Sequence, residues 1–369
     1  MNKMELRIIT LYLLILTSCN YSTQKDKPEA ERSTKDWAML DFVKADSINP
    51  ILEPSSDQVF FCPLNKKEVR WEERNVLNPS AVVKDGRVYL LYRAQDKEMT
   101  SRLGLAISND GLHFRKEPYP VLYPDSDSMQ QYEWKGGVED PRVVEGEDGT
   151  YILTYTAYDG KVARLCLASS KDLINWTKHG LVLGEGKYKD TWSKSGAIVS
   201  RLEQGKITAT KIKDKYWMYF GDTELFMVTS DDLIHWQVVE NEESRKMISV
   251  LHPRAGYFDS RLVEPGPYAL LTEKGILLIY NSSNASNYND PGLPDFAYAA
   301  GQALFDKENP FKLIDRMEDH FIYPDKPYEK TGEVNNVCFV EGLVYYKDQW
   351  LLYYGTADSK IAVAVKKER

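Results

Sequence analysis

Ser108-Asn109-Asp110-Gly111-Leu112-His113-Phe114 returns as Ser169-Ser170-Lys171-Asp172-Leu173-Ile174-Asn175-Trp176 and again as Ser230-Asp231-Asp232-Leu233-Ile234-His235-Trp236. Each copy reads as a strand end, an acidic turn, and an aromatic that packs back on its own sheet. Each follows a tyrosine-rich apolar run: Arg87-Val88-Tyr89-Leu90-Leu91-Tyr92, Thr150-Tyr151-Ile152-Leu153-Thr154-Tyr155 and Lys215-Tyr216-Trp217-Met218-Tyr219-Phe220. Two further runs of the same kind are Gly275-Ile276-Leu277-Leu278-Ile279-Tyr280 and Gln349-Trp350-Leu351-Leu352-Tyr353-Tyr354. Turns such as Lys84-Asp85-Gly86 and Glu147-Asp148-Gly149 announce them. No long amphipathic helix interrupts the pattern. The runs begin at positions 87, 150, 215, 275 and 349, so the chain carries an internal repeat. An all-β chain of five units, each unable to bury both faces alone, predicts a five-bladed β-propeller. A pair of β-sandwiches is the rival, and the regular recurrence of one signature favours a single ring.

Outward from the repeat, residues 1–18 read as an export signal. Lys3 and Arg7 precede a short apolar core, Ile8 to Leu16, too short to span a bilayer. Leu16-Thr17-Ser18-Cys19 looks like a lipobox, with Cys19 acylated as the mature N-terminus and the membrane as a partner. A plain secretory signal with an incidental cysteine is the alternative. Asn20 after Cys19 favours outer-membrane sorting over periplasmic retention. Residues 19–50 are polar and read as a tether, leaving 51–369 as the propeller. Cys62, Cys166 and Cys338 are an odd, scattered set and read as small core residues. No group has metal-ligand spacing, and no cofactor is implied. The net charge is −8, with 47 basic and 55 acidic residues and no basic patch, which excludes nucleic acid as a partner. Aromatics make up 12% of the chain, suiting either a carbohydrate groove or simply a β-protein.

In a propeller the first strand of each blade lines the central channel. The residues just before the tyrosine-rich runs therefore converge there. They are Asn78-Pro79-Ser80, Glu139-Asp140-Pro141-Arg142, Lys194-Ser195-Gly196, Glu264-Pro265-Gly266-Pro267 and Asn335-Asn336. Asp140 follows Gly136-Gly137-Val138 and precedes a proline, a carboxyl group on a stiff turn. Several carboxylates on one axis are the inventory of a glycoside-cleaving enzyme: an acid for the leaving oxygen and a base for water.

These motifs resemble glycoside hydrolase family 130, the β-mannoside phosphorylases and β-mannosidases. The resemblance rests on Asn78-Pro79, Tyr92-Arg93-Ala94, Gly137-Val138-Glu139-Asp140-Pro141-Arg142 and Ser195-Gly196-Ala197. It continues through Glu264-Pro265-Gly266-Pro267, Leu278-Ile279-Tyr280, Tyr353-Tyr354-Gly355-Thr356-Ala357-Asp358 and Ile361-Ala362-Val363-Ala364. It implies an inverting mechanism with Asp140 as general acid, its proton passing through a sugar hydroxyl. Phosphorylases of the family grip phosphate with a histidine after the Ile-Tyr strand, and here that position is Asn281. The hydrolytic branch resembles this chain at two water-positioning glutamates, matched by Glu224 and Glu264. β-1,2-Linked mannosides follow from that branch.

Glu139 and Arg142 read as partners that orient Asp140. Arg93 and Lys194 either bind sugar hydroxyls or pair with carboxylates. Asn78, Asp96 and Asp358 are substrate-binding candidates by motif position, and Tyr280 and Asn281 lie beside the phosphate position. Glu224 is alternatively an outward-facing strand residue. His252 reads as a loop histidine, and Asp110, Asp172 and Asp232 as turn-formers. The expectation is an inverting β-mannosidase acting on an oligosaccharide. A phosphorylase and a catalytically silent surface glycan-binding lipoprotein are the alternatives.

Overall fold

The computed structural model describes residues 35–368. Cys19 and the signal segment lie outside the described residues. Within them the protein is nearly all β, with two helices of four residues each, Gln130–Glu133 and Pro327–Lys330. Apart from a separate hairpin of Val59–Cys62 and Lys67–Arg70, most of the described strands fall into five successive antiparallel meanders. The first is Asn75–Lys84, Arg87–Gln95, Ser101–Ser108 and Arg115–Lys116; the second is Gly137–Glu145, Tyr151–Tyr158, Ala163–Ser170 and Thr177–Leu181. The third is built on Ala197–Glu203, Lys215–Phe220, Phe226–Ser230 and Trp236–Val238. The fourth is built on Leu262–Pro265, Ala269–Leu271, Ile276–Ser283, Tyr298–Phe305 and Leu313–Arg316. The fifth is Cys338–Tyr345, Gln349–Thr356 and Lys360–Lys367, completed by Val43–Lys44 from the other end of the chain.

Residues 37–50 were expected to belong to the tether, yet they lie on the fifth meander and its neighbour. Val43 pairs with Val365, Met39 exchanges two hydrogen bonds with Gln302, and Trp37 and Phe42 pack on the core. Four apolar side chains in a polar stretch (Trp37, Met39, Phe42 and Ile48) supply the reason, because composition averaged over the stretch hides them. Meander faces pack on one another. Leu91 and Leu103 share a core with Leu153 and Val143, and Leu90 and Tyr92 share one with Leu351 and Tyr353. The three acidic turns are structural, as expected. In each, the serine and aspartate oxygens accept the turn's own N–H groups, for example Ser230 Oγ from Leu233 and Asp232 Oδ1 from Ile234 and His235.

A second repeat was hidden in the sequence. In four meanders a tyrosine of the tyrosine-rich strand donates to a fully buried carboxylate, which also pairs with a cation from the outermost strand. Tyr92 reaches Glu72 and Lys116, Tyr155 reaches Glu133 and Lys178, Tyr280 reaches Asp259 and Arg316, and Tyr354 reaches Glu329 and Lys44. A buried carboxylate without such partners would cost several kcal/mol. The ladder residue opposite each tyrosine is small: Gly104, Cys166, Gly301 and Ala362. A β-carbon on Gly104 would lie 2.3 Å from the Tyr92 ring. The third meander lacks the device. There Met227 faces Tyr219, whose hydroxyl donates to the Pro310 carbonyl.

What positions the site is a break in the first strands. The ladder register skips at Asn78, at Asp140-Pro141 and at Glu341. Bulges of this kind re-aim a side chain, and a proline without an N–H is tolerated in them. Asn78 and Asp140 both take φ 49°, the left-handed region that Asn and Asp enter more readily than other side chains.

Candidate active site

The bulges bring Asn78 and Asp140 together. Asn78 Nδ2 donates to Asp140 Oδ1 at 2.6 Å, and Arg93 donates to the same oxygen at 3.0 Å. Arg93 also reaches Glu139 at 2.6 Å and Ser101 at 2.9 Å. Lys194 Nζ lies 3.8 Å from Asp140 Oδ2. Across the site, Glu264 accepts from the Ser195 hydroxyl, and Arg142 lies 3.9 Å away. Arg142 donates to the carbonyls of Asp140, Pro265 and Gly266, tying the second meander to the fourth. Its guanidinium also lies 2.7 Å from Glu341, an ionic contact with neither Glu341 oxygen aligned for a hydrogen bond.

Five carboxyl groups thus share this region with three cations: Glu139, Asp140, Glu264, Glu341 and Asp358 against Arg93, Arg142 and Lys194. Burial disfavours every charge here, and neighbours decide which survive. At Asp140, burial is outweighed by Arg93, Lys194, Arg142 and the Asn78 hydrogen bond, which hold its pKa at about 2. At Glu264, burial prevails over Lys194 and Arg142, and the carboxyl is pushed up to about 7. Asp358 is pushed up to about 6 by burial against the pull of Arg93. Burial raises Glu341 well above the carboxylate range and raises Glu139 as well. Burial would strip Lys194 of its proton, but Asp140, Glu139 and Glu264 keep it charged.

Of the residues expected from the sequence, Asn78, Arg93, Asp140, Arg142, Lys194 and Glu264 meet through direct contacts, and Asp358 joins through its field on Arg93 and Asp140. For Arg93 and Lys194 the structure shows the carboxylate pairing. Glu224 is half-buried and makes no hydrogen bond or ion pair among the described residues. Its turn is stitched beside Glu264, the Thr223 carbonyl accepting from the Val263 N–H at 3.2 Å.

Three expectations are corrected. Asp96 does not face the site: it pairs with fully buried Arg102 at 2.9 Å and accepts the N–H groups of Glu98 and Thr100. Tyr280 belongs to the Asp259–Arg316 cluster, because strand alternation turns it away from the face that Asn281 occupies. Asn281 has both halves of its amide bonded to the Val340 backbone, at 2.9 and 2.7 Å, and so is a brace between the fourth and fifth meanders. His252, expected in a loop, lends its backbone carbonyl to Arg316.

Sequence reasoning missed Glu341, whose signal was a lone carboxylate inside the apolar run Cys338-Phe339-Val340-Glu341-Gly342-Leu343-Val344. It also missed Tyr298, which feels Glu264, Arg261 and Asp358. Nothing in the sequence around that tyrosine distinguishes it from the others.

A family model described as beta-1,4-mannooligosaccharide phosphorylase, that of glycoside hydrolase family 130, matches residues 43–369. The chain belongs to glycoside hydrolase family 130. Members of this family act on β-mannosidic linkages. A 1,2-beta-oligomannan phosphorylase of Thermoanaerobacter sp. (strain X514) is 30% identical over 325 residues, covering 85% of this chain and 96% of the relative. A putative glycosidase from Bacteroides thetaiotaomicron VPI-5482 superposes with a TM-score of 0.88 at 45% identity, covering 89% of this chain and 97% of that one. Another solved structure, 42% identical with a TM-score of 0.88 over 90% of this chain and 95% of its own, is described in these words: the GH130 family of mannoside phosphorylases contains glycoside hydrolases that target beta-1,2 mannosidic linkages in Candida mannan.

Proposed function

We propose that this protein is an inverting hydrolase of β-mannosidic bonds, with β-1,2-linked mannosides as substrates. The observation that carries the reading is the position that the resemblance gives to a phosphate-gripping histidine: it holds Asn281, across the ladder from Glu264, with its amide already bonded to Val340. Inversion needs an acid at the leaving oxygen and a base for water. Asp140 is assigned the acid, its proton passing through a substrate hydroxyl; Glu264 is assigned the base, with the unpartnered Glu224 orienting the same water.

Without substrate the single proton of the Asp140–Glu264 pair rests on Glu264, since about 7 exceeds about 2. The working form, with Asp140 protonated and Glu264 ionised, is the minor tautomer of that same one-proton state. Turnover then requires the pair to hold one proton, a condition met between those two values.

The five meanders, with the last sharing a core with the first, support five blades around one axis. The lipobox supports an exported lipoprotein at the outer membrane. Phosphorolysis is the second reading, favoured by the names of relatives such as the 1,2-beta-oligomannan phosphorylase. Product analysis on defined mannobiosides, with and without phosphate, decides between them. Mannose released in phosphate-free buffer, lost on Asp140→Asn, is the expected result. Mannose 1-phosphate formed only with added phosphate would refute hydrolysis, and binding without turnover would refute both.

A further inference from the structure

Glu341 is a buried carboxylate that the fold does not treat as it treats its others. Glu72, Glu133, Asp259 and Glu329 each accept from a tyrosine hydroxyl and pair with a cation. Glu341 is as fully buried, and neither of its oxygens has a hydrogen-bond partner among the described residues. What it has is Arg142, whose Nη2 lies 2.7 Å away. A buried carboxylate left without hydrogen bonds costs stability, so its presence points to a task other than holding the fold together.

Arg142 shows what that task is. Its Nε, Nη1 and Nη2 donate to the carbonyls of Gly266, Asp140 and Pro265, so its aligned N–H groups are spent on backbone. Its charge remains, and two carboxylates compete for it. The same Nη2 stands 3.9 Å from Glu264, and Glu341 is the nearer of the two. Burial pushes Glu341 toward the neutral acid and Arg142 pulls it back. The contact favours the anion. A neutral Glu341 would carry an O–H, and Arg142, being only a donor, could not accept it. Arg93 already has Glu139 at 2.6 Å and Asp140 at 3.0 Å, and Lys194 has Asp140. With Glu341 on Arg142, Glu264 is left with no cation of its own.

We propose that Glu341 is a positioning residue for catalysis: as the counter-ion of Arg142 it takes up that charge and leaves Glu264 free to accept a proton from water. Without it, Arg142 would hold Glu264 as a fixed anion and a weaker base. The inference rests on Glu264 being the base of the hydrolase reading. Glu264 is faced by Lys194, Arg142, Asp222, Asp140, Tyr298 and the Ser195 hydroxyl. Glu341 feels Arg142, Asp140, Glu264 and Arg93.

The test is the alkaline limb of kcat/KM on a mannobiose in wild type, Glu341→Gln and Glu341→Asp. In the wild type the limb falls through about 7. Glu341→Gln removes a negative charge at nearly constant shape, which favours ionised Glu264, so the limb should move down by about half a pH unit or more. Glu341→Asp keeps the charge and should leave the limb in place, whatever it does to the rate. A purely structural role would lower the whole profile without displacing its limb, and that result would overturn the proposal. A Glu341→Gln protein that does not fold would also sink it, by making Glu341 a structural counter-ion. Wild type without turnover would remove the hydrolase reading instead. The charge competition would then be read from the part of the melting-temperature drop with rising pH that Glu264→Gln abolishes. Its midpoint should lie lower in the Glu341→Gln background than in wild type, and equal midpoints would refute the competition.

Discussion

Replacing Lys194 by methionine tests the electrostatic account of the site directly. The ammonium lies 3.8 Å from Asp140 Oδ2, and its side chain is one-fifth exposed. At that distance an effective dielectric of about 20 gives an attraction of about 4 kcal/mol, equivalent to about three pKa units as an upper bound. Arg93, at 3.0 Å, and Asn78, at 2.6 Å, remain in place, so Asp140 stays below an ordinary carboxylate by whatever they supply. In the wild type the acidic limb of kcat/KM lies near 2, under acid unfolding, and the profile should be flat from about pH 4 until it falls through about 7. Without the ammonium the acidic limb should rise into the measurable range, near pH 4 to 5, as a one-proton slope. The alkaline limb should move upward too, because Lys194 also lowers Glu264. Initial rates on a mannobiose across pH 3.5 to 9, with circular dichroism at each pH, provide the assay. The absolute rate will fall if Lys194 also touches sugar, but a lost contact scales the whole profile without displacing its limbs. An acidic side that stays flat in the variant down to pH 4 would refute the claim that Lys194 holds Asp140 ionised.

Two further outcomes follow from the same groups. Glu264 titrates at about 7 in the folded protein and near 4.5 when unfolded, so its protonation stabilises the fold fully below the unfolded value and the benefit is lost as pH rises through 7. The amount is about 3 kcal/mol, so the melting temperature should drop between pH 5 and 8, and Glu264→Gln should flatten that drop; an identical slope in both proteins would count against the burial account. Asn281→Ala removes two buried hydrogen bonds to Val340 and should cost about 2–4 kcal/mol in chemical denaturation, whereas an unchanged midpoint would show that Asn281 is not a brace.

The chain declared its strands plainly because alternation, turns and the Ser-Asp-aromatic signature are local. It declared Asp140, Asn78 and Glu264 because each sits at a strand entry stiffened by proline. What it hid is side-chain direction. Tyr280 and Asn281 are neighbours on one strand, so period-two alternation sends them to opposite faces: Tyr280 joins Asp259, while Asn281, the ladder partner of Glu264, bonds its amide to Val340. Asp96 follows the same strand as Arg93, yet Arg102 captures it locally. The tyrosine–carboxylate–cation clusters were illegible for another reason. Lys44 and Glu329 are far apart in the chain, and neither is unusual where it stands.

The pairing of Val43–Lys44 with Lys360–Lys367 also bears on the order of assembly. Residues 43–44 must wait for residues more than 300 positions further along the chain, and Lys44 cannot pair with Glu329 until it docks. Loop-closure entropy makes contacts of such long sequence separation slow to form, and a waiting edge strand is a hazard for aggregation. The fifth sheet is therefore a latch that shuts after the other four meanders have formed. In pulse-labelled hydrogen exchange during refolding, Val43 and its partner Val365 should gain protection later than the pairs of the second meander.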